Sequence, residues 1–246
     1  MSKKEKILSH MHPLLLNGIC HRGLHNEQDI ENGMRAFENA IRAGFAFELD
    51  VHLTRDNELI VCHDSDLKRV TGKEGIIEDM TAEQIRQNYT LLDGEPLPTL
   101  AEVFDRNDER VPIVLELKVF RKNYTELAAR VARELSRIRD KSKLTLISFD
   151  PRALFPFKKS GFVRQLLIST SYRRTWFFAR CFEGVDLDRH FFREKKVQRY
   201  AKRHVVNCWT IESGEALEAV LPFCDTVTFQ HLDPEAVRAS LEVHRR

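Results

Sequence analysis

The chain has 246 residues and a formal net charge of +2, which suits one large domain and excludes a protein that is strongly basic or acidic as a whole. No apolar stretch of about 20 residues occurs, so we expect no transmembrane helix, and we expect no signal peptide because the N-terminal MSKKEKILSHMHPLLLNGI has only a very short apolar run. The five cysteines form no CxxC pair, which is typical of reduced thiols in a cytoplasmic protein.

Strand-like segments recur along the whole chain. They combine β-branched and aromatic residues with alternating or continuous apolar patterns and lie at 14–20, 45–53, 111–119, 144–149 and 163–170, near Val185, and at 204–211 and 225–229. Helical patterns separate them, as in 31–44 and 124–138. Eight β–α units in roughly 250 residues have the size of a (β/α)8 TIM barrel, the α/β fold that we predict.

One hairpin interrupts this alternation. TRDN (54–57) has turn residues, so ELIVCHD (58–64) is predicted to run back beside 45–53. The polar stretch down to Pro98 is then predicted to be a small insertion after the second strand, at about 58–98, on a single domain that spans 1–246. A doubly wound sheet competes with the barrel, but CHRGLHNE (20–27) lacks the glycine-rich phosphate loop that such a sheet would need.

Charged and imidazole side chains collect at the predicted carboxyl ends of the strands, where barrel enzymes have their active sites. The set comprises three carboxylates, two histidines, two cations and one tryptophan: Glu48, Asp50, Glu116, His21, His63, Arg22, Lys118 and Trp209. Glu48 and Asp50 are two apart on one strand, so they share a face. Glu116 and Lys118 form a second pair of this kind.

Three buried carboxylates beside each other require a compensating cation. An all-oxygen donor set is typical of Mg²⁺ or Ca²⁺, with Mn²⁺ as a further option, rather than of zinc. Arg22 and Lys118 beside such an ion indicate a phosphate site. His21 and His63 flanking a phosphate are candidates for a general acid and a general base. The residues therefore predict metal-assisted phosphodiester cleavage.

In their order, the motifs of the chain resemble those of the glycerophosphodiester phosphodiesterases over nearly its whole length. They are HRG at 21–23, EN at 31–32, ELDV at 48–51, HD at 63–64, PTL at 98–100, ELK at 116–118, SFDP at 148–151 and CWTIE at 208–212. The resemblance implies a (β/α)8 barrel with one divalent cation. It also implies hydrolysis of a small-molecule glycerophosphodiester to sn-glycerol 3-phosphate and an alcohol.

The resemblance further implies a role for each matching position. The metal would be held by Glu48, Asp50 and Glu116, the acid/base pair would be His21 and His63, phosphate would be bound by Arg22 and Lys118, and the glycerol side would be lined by Trp209. Three features depart from the family pattern. Ile30 stands where a proline is usual, Gly33 replaces a threonine, and TFQHLDP (228–234) lacks the usual threonine-aspartate. These departures bear on substrate preference more than on the chemistry.

Alternatives remain open at this point. A lipid-directed relative, cleaving lysophospholipids or sphingolipids in the manner of phospholipase D, would be favoured by a longer apolar groove beside 171–182. A silent barrel that binds a phosphorylated metabolite or nucleic acid is the alternative from another class, and the intact set of histidines and carboxylates argues against it. Neither the nucleophile (water or the glycerol 2-hydroxyl) nor the acid and base assignment follows from the sequence, and neither does the oligomeric state.

The segment SYRRTWFFARCF (171–182) lies in a basic section, 157–203, with 13 Lys and Arg against 4 Asp and Glu. It is expected on the active-site face. One interpretation is a lid or a peripheral membrane contact at the level of lipid headgroups, and the other is a helix that buries its aromatic residues. A nucleic-acid partner is not expected, because no RNA- or DNA-binding motif accompanies the segment.

Four further side chains near the motifs have structural roles as an alternative or as the preferred interpretation. His25 and His52 are candidates for the edge of the site, with a structural histidine as the alternative in each case. Cys20 and Cys62 each precede a motif histidine. Neighbours on a strand point to opposite faces, so both cysteines are expected to be small buried hydrophobes that point away from the site.

Overall fold

Eight parallel strands close into a barrel in the computed structural model, which describes residues 1–245. Within that range the strands are β1 (Ile19–Cys20), β2 (Ala46–Leu53), β3 (Leu59–Val61), β4 (Ile113–Leu117), β5 (Leu144–Ser148), β6 (Val163–Ile168), β7 (Gly184–Asp188), β8 (Val205–Ile211) and β9 (Thr226–Phe229). Strand β1 pairs with both β2 and β9, which closes the ring, and the hairpin arm β3 pairs antiparallel with β2. The predicted (β/α)8 barrel is confirmed.

Helices surround this barrel. They are α1 (Lys3–Leu8), α2 (Met34–Ala43), α3 (Lys68–Thr71), α4 (Ala82–Asn88), α5 (Leu100–Asn107), α6 (Tyr124–Leu135), α7 (Pro151–Leu154), α8 (Lys195–Ala201), α9 (Gly214–Val220) and α10 (Pro234–Arg245). Gly44 ends α2 at a φ of 70°, and Thr99 begins α5 with a capping box. Across residues 1–245, no helix has the length and apolarity needed to cross a bilayer.

The first strand is shorter than predicted. We expected a strand over 14–20, but Pro13–Asn17 forms a 3-10 turn and only Ile19–Cys20 pairs with neighbours. The fixed φ of Pro13 favours the start of a helical turn. Leu15 then packs with Met11 among residues that fill the N-terminal end of the barrel. The apolar run therefore closes the bottom of the barrel instead of extending the sheet.

After β6 the chain forms a 3-10 segment, Arg173–Cys181, rather than an α-helix. Trp176 and Phe178 are half-buried and pack against the main hydrophobic core, whereas Phe177 is 85% exposed. The interpretation of this segment as a helix that buries its aromatic residues therefore holds in part for Trp176 and Phe178 and is wrong for Phe177.

The stretch between β3 and α5 packs as a small layer on the hairpin. It holds α3, α4 and a hydrophobic cluster that includes Leu67, Ile77 and Ile85. That this stretch is an insertion at 58–98 on a single domain stays a prediction. Its position beside the hairpin brings α3 close to the loop that carries His63.

Candidate active site

Three carboxylates meet at the carboxyl ends of two neighbouring strands. Strand β2 carries Glu48 and Asp50, β4 carries Glu116, and the strand register sets Asp50 opposite Glu116. One oxygen atom of each residue lies within 4.8 Å of the others, and all three side chains are buried. This compact set of oxygen donors is what a hard divalent cation requires.

Burial and the neighbouring charges alter the protonation of this triad. Burial and the repulsion from Asp50 raise the pKa of Glu48 well above its usual value, and burial raises the pKa of Glu116 to about 7. Burial would also raise the pKa of Asp50, but Lys118 and Arg22 hold it below its usual range. Without a cation, the carboxylates therefore compete for protons and for two side-chain cations.

One buried oxygen atom of the triad has no hydrogen-bond partner among residues 1–245. Asp50 Oδ1 is buried and accepts no hydrogen bond from residues 1–245, although Lys118 Nζ lies 3.3 Å away as an ion pair. The other oxygen, Oδ2, accepts from Asn32 Nδ2 at 2.9 Å. Since buried oxygen atoms are rarely left without a partner, the triad fits a divalent ion.

Two cations, Arg22 and Lys118, flank the carboxylates. Lys118 Nζ lies 3.0 Å from Glu116 Oε1, and Arg22 Nε lies 3.5 Å from Asp50 Oδ2. The backbone N–H of Arg22 also donates to Glu48 Oε2 at 3.0 Å. These contacts place a guanidinium and an ammonium beside the same carboxylate cluster, an arrangement that suits recognition of a phosphate.

A tight loop after β1 makes the contact between Arg22 and Glu48. Arg22 has a φ of 53° and Gly23 a φ of 84°. A Cβ added to Gly23 would lie 2.8 Å from the carbonyl carbon of Ala36 in α2. Glycine is therefore needed here both for its backbone conformation and for the close approach of the loop to the helix.

The two candidate histidines are each held at Nδ1 by a different kind of partner. His21 Nδ1 lies 2.6 Å from Gln230 Oε1, and Gln230 Nε2 donates to Glu212 at 2.6 Å, which turns the amide oxygen toward the imidazole. His63 Nδ1 lies 2.7 Å from Asp64 Oδ1. In both cases an acceptor faces Nδ1, so the neutral ring carries its proton on Nδ1 and a lone pair on Nε2, and only the imidazolium form carries a proton on Nε2 as well.

Burial also sets the protonation state of these rings. Burial, with the nearby Arg22 charge, lowers the pKa of His21 to about 3, and burial lowers the pKa of His63 below its usual value. His21 is the more strongly shifted of the two, and its Nδ1 partner is a neutral amide. His63 instead faces the Asp64 carboxylate, which favours its protonated form.

Sequence reasoning missed a charged network that joins the loops of the two histidines. Arg69 in α3 donates from Nε to Asp64 Oδ2 at 2.6 Å and from Nη2 to Glu31 Oε1 at 2.8 Å. Arg22 Nη1 donates to the same oxygen of Glu31 at 2.6 Å. Arg69 belongs to no motif, and only the packing of α3 brings it here, so the sequence offered no signal for it.

Two openings meet at the site. A small cavity of about 50 Å³ lies in the barrel mouth, and its lining includes His21, Arg22, Asp186, Trp209 and Thr228. A wide groove of about 870 Å³ leads outward, and its lining includes Lys118, Phe155, Tyr172 and Phe178. Both openings are lined by His63, Glu116 and Phe149. A group bound at this boundary would lie between a narrow and a wide compartment.

Asp186 of β7 is a second residue that sequence reasoning missed. Asn207 Nδ2 donates to Asp186 Oδ2 at 2.9 Å and to Thr228 Oγ1 at 2.8 Å. Oδ1 of Asp186 is buried and has no hydrogen-bond partner in residues 1–245. Burial raises the pKa of Asp186 to about 7. The alternation in GVDLD indicates that Asp186 faces the barrel interior, but no motif marks it.

Trp209 lies in the wall of the small cavity. Its Nε1 donates to the backbone oxygen of Asp186 at 3.1 Å, and its ring packs edge-on against Phe149 with centroids 5.7 Å apart. These two contacts fix the indole at the border of the small cavity.

The other histidines and cysteines that the sequence singled out have supporting positions. His52 contacts Glu78 Oε1 at 2.6 Å through Nδ1 and the backbone oxygen of His63 at 3.1 Å through Nε2. His25 packs edge-on against His231 at 5.1 Å. Cys20 and Cys62 are buried in hydrophobic clusters, as expected of small hydrophobes, and burial raises the pKa of both thiols.

Comparison with known sequences identifies relatives along most of the chain. A sequence model of the "Glycerophosphoryl diester phosphodiesterase family" matches residues 21–216. A glycerophosphodiester phosphodiesterase of Caldanaerobacter subterraneus is 28% identical over 220 residues, which cover 82% of this chain and 88% of the relative. A human lysophospholipase D is 33% identical over 149 residues, which cover 54% of this chain and 45% of the relative.

Solved structures support the same assignment. A glycerophosphodiester phosphodiesterase from Parabacteroides distasonis superposes with a TM-score of 0.76 at 25% identity, covering 93% of this chain and 97% of that one. A phosphodiesterase from Oleispira antarctica, solved with its product sn-glycerol-3-phosphate, has the same fold, with a TM-score of 0.80 at 23% identity over 96% of this chain and 99% of that one. With its barrel, its acidic triad and a family match that spans most of its length, the chain belongs to the glycerophosphoryl diester phosphodiesterase family of hydrolases.

Proposed function

We propose that this enzyme hydrolyses glycerophosphodiesters to sn-glycerol 3-phosphate and an alcohol, and that one divalent cation is held by Glu48, Asp50 and Glu116. The observation that carries the proposal is the meeting of this buried triad with two anchored histidines at the boundary of a narrow cavity and a wide groove. Mg²⁺ and Ca²⁺ both suit the all-oxygen donors. A bound cation would supply positive charge that stabilises the phosphate as its own negative charge grows.

Arg22 and Lys118 bind the phosphate oxygens in this proposal. Lys118 lines the wide groove and Arg22 the small cavity, so the two cations approach the boundary from opposite sides. In the structure, Arg22 and Lys118 both form ion pairs with Asp50. A divalent ion held by the carboxylates would compensate their charge, which would leave the guanidinium and the ammonium available for phosphate, for which an Arg fork is well shaped.

The two openings suggest how the substrate is oriented. The small cavity has room for a glycerol moiety, with Trp209 as its wall, and the wide groove has room for a larger alcohol. The phosphorus would then lie at the boundary, beside His63 and Glu116. This orientation sets the nucleophile on the side of His21 and the leaving oxygen on the side of His63.

The environments of the two histidines support one of them as the general base and the other as the general acid. His21, kept neutral by burial and by the nearby Arg22 charge and held at Nδ1 by the amide oxygen of Gln230, is the proposed general base: its Nε2 accepts the proton of the attacking hydroxyl as that oxygen bonds to phosphorus. His63 is the proposed general acid: in its imidazolium form, which the Asp64 carboxylate at Nδ1 stabilises, Nε2 carries a proton and gives it to the alkoxide as the bond from phosphorus to oxygen breaks.

The attacking hydroxyl is either water or the glycerol 2-hydroxyl. Attack by the 2-hydroxyl forms a cyclic phosphate, which water then opens with His21 and His63 in exchanged roles. A substrate analogue that lacks the 2-hydroxyl separates the two routes. Continued turnover of the analogue at the normal rate supports direct attack by water, and loss of turnover with intact binding supports the cyclic route.

The test of the proposed function is release of sn-glycerol 3-phosphate from glycerophosphocholine, first with EDTA and then with added Mg²⁺ or Ca²⁺. We expect release only with a divalent ion, and loss of at least about a hundredfold in kcat for His21→Ala and His63→Ala. Release that continues in EDTA would contradict the metal site. Activity that survives both substitutions would contradict the histidine pair.

A second candidate substrate class is the single-chain phospholipid, cleaved at the same phosphodiester bond. The observation that favours it is the apolar part of the wide groove, which includes Leu117, Val119, Phe149, Phe155 and Phe178. Such a lining suits an acyl chain better than choline or ethanolamine. If lysophosphatidylcholine is the substrate, Phe178→Ala should lower kcat/KM for it and leave kcat/KM for glycerophosphocholine unchanged.

A further inference from the structure

The outer edge of the wide groove carries a group of aromatic side chains, which we call the aromatic rim: the exposed Phe155, Tyr172 and Phe177 and the half-buried Phe178. Six large hydrophobic side chains are exposed within residues 1–245, and three of them are Phe155, Tyr172 and Phe177, at 40%, 55% and 85%. Exposed apolar side chains that occur singly need no explanation, whereas their concentration in one place indicates a binding surface.

Three rings of the aromatic rim form one connected patch, and the fourth, Tyr172, packs against Phe149 of the groove lining with centroids 5.2 Å apart. Phe178 packs edge-on against Phe177 with centroids 5.5 Å apart and against Phe155 with centroids 6.3 Å apart. Phe155, Tyr172 and Phe178 also line the wide groove, but Phe177 does not. The patch therefore runs without interruption from the groove to a solvent-exposed tip at Phe177.

The chain around this tip is positively charged. The segment 169–182 contains Arg173, Arg174 and Arg180 and no Asp or Glu. Arg173 pairs with Glu194, while Arg174 and Arg180 are exposed and form no ion pair with any residue in the described part of the chain. An apolar tip between two unpaired guanidinium groups matches the interface of a bilayer that carries anionic headgroups.

We propose that the aromatic rim docks this enzyme on anionic phospholipid surfaces, with Phe177 at the level of the headgroups and the mouth of the groove facing the bilayer. Single-stranded nucleic acid fits less well, because it requires a basic groove that follows its backbone, and this groove contains the carboxylates of Asp64, Glu116 and Asp150. The inference concerns where the enzyme binds and does not depend on which phosphodiester it cleaves.

The test is sedimentation of the full chain with vesicles of pure phosphatidylcholine and with vesicles in which half of the lipid is phosphatidylglycerol. We expect sedimentation with the anionic vesicles only, and release as salt is added. Phe177→Ala should lower the partition coefficient about tenfold, and the double variant Arg174→Gln/Arg180→Gln at least about tenfold at low salt.

Matched controls come from the other exposed hydrophobic residues. Leu92 and Val243 are 64% and 73% exposed and lie outside the rim, so Leu92→Ala and Val243→Ala should bind vesicles like wild type. Phe177→Ala should retain full turnover of glycerophosphocholine in solution, which shows that it is folded. Equal vesicle binding by Phe177→Ala and wild type would overturn the proposal, and so would an equal loss of binding by the controls.

A second measurement uses the exposed thiol of Cys181, which lies in the same segment. An environment-sensitive dye on Cys181 should shift to the blue on addition of anionic vesicles, whereas the same dye on Val243→Cys in a Cys181→Ser background should not. No shift at Cys181 would contradict docking through the rim. The proposal would also be overturned if an oligothymidylate bound in place of the vesicles and with the same dependence on Phe177.

Discussion

Gln230 Oε1 lies 2.6 Å from His21 Nδ1, and the two residues are 209 positions apart in the chain. The TFQHLDP segment, a departure from the family pattern, thus supplies the partner that selects the tautomer of the proposed base. Glu212 holds the Gln230 amide in the orientation that this contact requires.

Replacement of Gln230 by leucine should lower kcat about tenfold or more with little change in KM. The substitution leaves the Nδ1 proton of His21 buried without an acceptor, so the imidazole loses the orientation that exposes its Nε2 lone pair. Steady-state kinetics with glycerophosphocholine measures the effect. Glu212→Gln is the control, with a smaller loss expected, and a kcat for Gln230→Leu equal to that of wild type would contradict the assignment.

Affinity for the divalent ion should rise as the pH rises through about 7. Burial raises the pKa of Glu116 to about 7 and raises that of Glu48, so below neutral pH protons occupy oxygens that the ion needs. Calorimetric titration with Mg²⁺ and Ca²⁺, in buffers of different ionisation enthalpy, should show proton release on binding near neutral pH. Asp50→Asn should bind neither ion measurably, and an affinity that is independent of pH would count against this arrangement.

Arg69→Gln should lower kcat/KM about tenfold while changing stability little. Asp64 is the partner of His63, and Glu31 is the partner of Arg22. The substitution removes the side chain that joins Asp64 to Glu31, so these two carboxylates are no longer held in place relative to each other. The neighbouring Lys68→Ala removes an exposed pair with Glu74 and is the matched control, with activity expected at the wild-type value. Equal kinetics for the two variants would show that the network has no role in positioning.

Gly23→Ala should destabilise the protein by more than Gly94→Ala. Both glycines have φ near 85°, so both substitutions incur the cost of a left-handed alanine, about 1 kcal/mol. Only at Gly23 would the new methyl group also meet the backbone of Ala36, at 2.8 Å, whereas nothing lies within 4 Å of the corresponding position at Gly94. Thermal unfolding of the two variants measures the difference, and equal midpoints would be inconsistent with the close approach of the loop to α2.

Asp186→Asn should stabilise the metal-free protein more at pH 8 than at pH 4. The pKa of Asp186 is about 7 in the folded state against an ordinary value of 3.8, so its protonated form is favoured by folding. The stability it provides is present below about pH 4 and is lost as the pH rises toward 7. Asparagine keeps the acceptor for Asn207 without a charge, and urea unfolding in EDTA at both pH values tests whether the advantage grows with pH.

Local patterns in the sequence predicted those parts of the site in which the position of a side chain follows from the periodicity of its own strand. The spacing of Glu48 and Asp50 determines that they share a face, and the same alternation places Glu116 beside them once β2 and β4 pair. The motif at His63 also follows a local hairpin. Each of these features needs only the periodicity of a strand and the order of strands in a barrel.

The remaining features depend on packing between distant segments. Arg69 meets Glu31 across 38 positions, and no periodic pattern encodes such a contact. The early apolar run was predicted to be a strand, because a plug at the bottom of the barrel and a buried strand have the same composition. Pro13 was the only local sign that the run begins with a turn.

The seam of the barrel joins the beginning of the chain to its end, since β1 pairs with β9. During synthesis the carboxylate triad is complete once β4 has emerged, yet Gln230 follows β9 and arrives more than 100 residues later. An unfinished chain therefore possesses the ligands for an ion but lacks the group that anchors His21. The proposed base therefore acquires its Nδ1 partner only when the ring has closed.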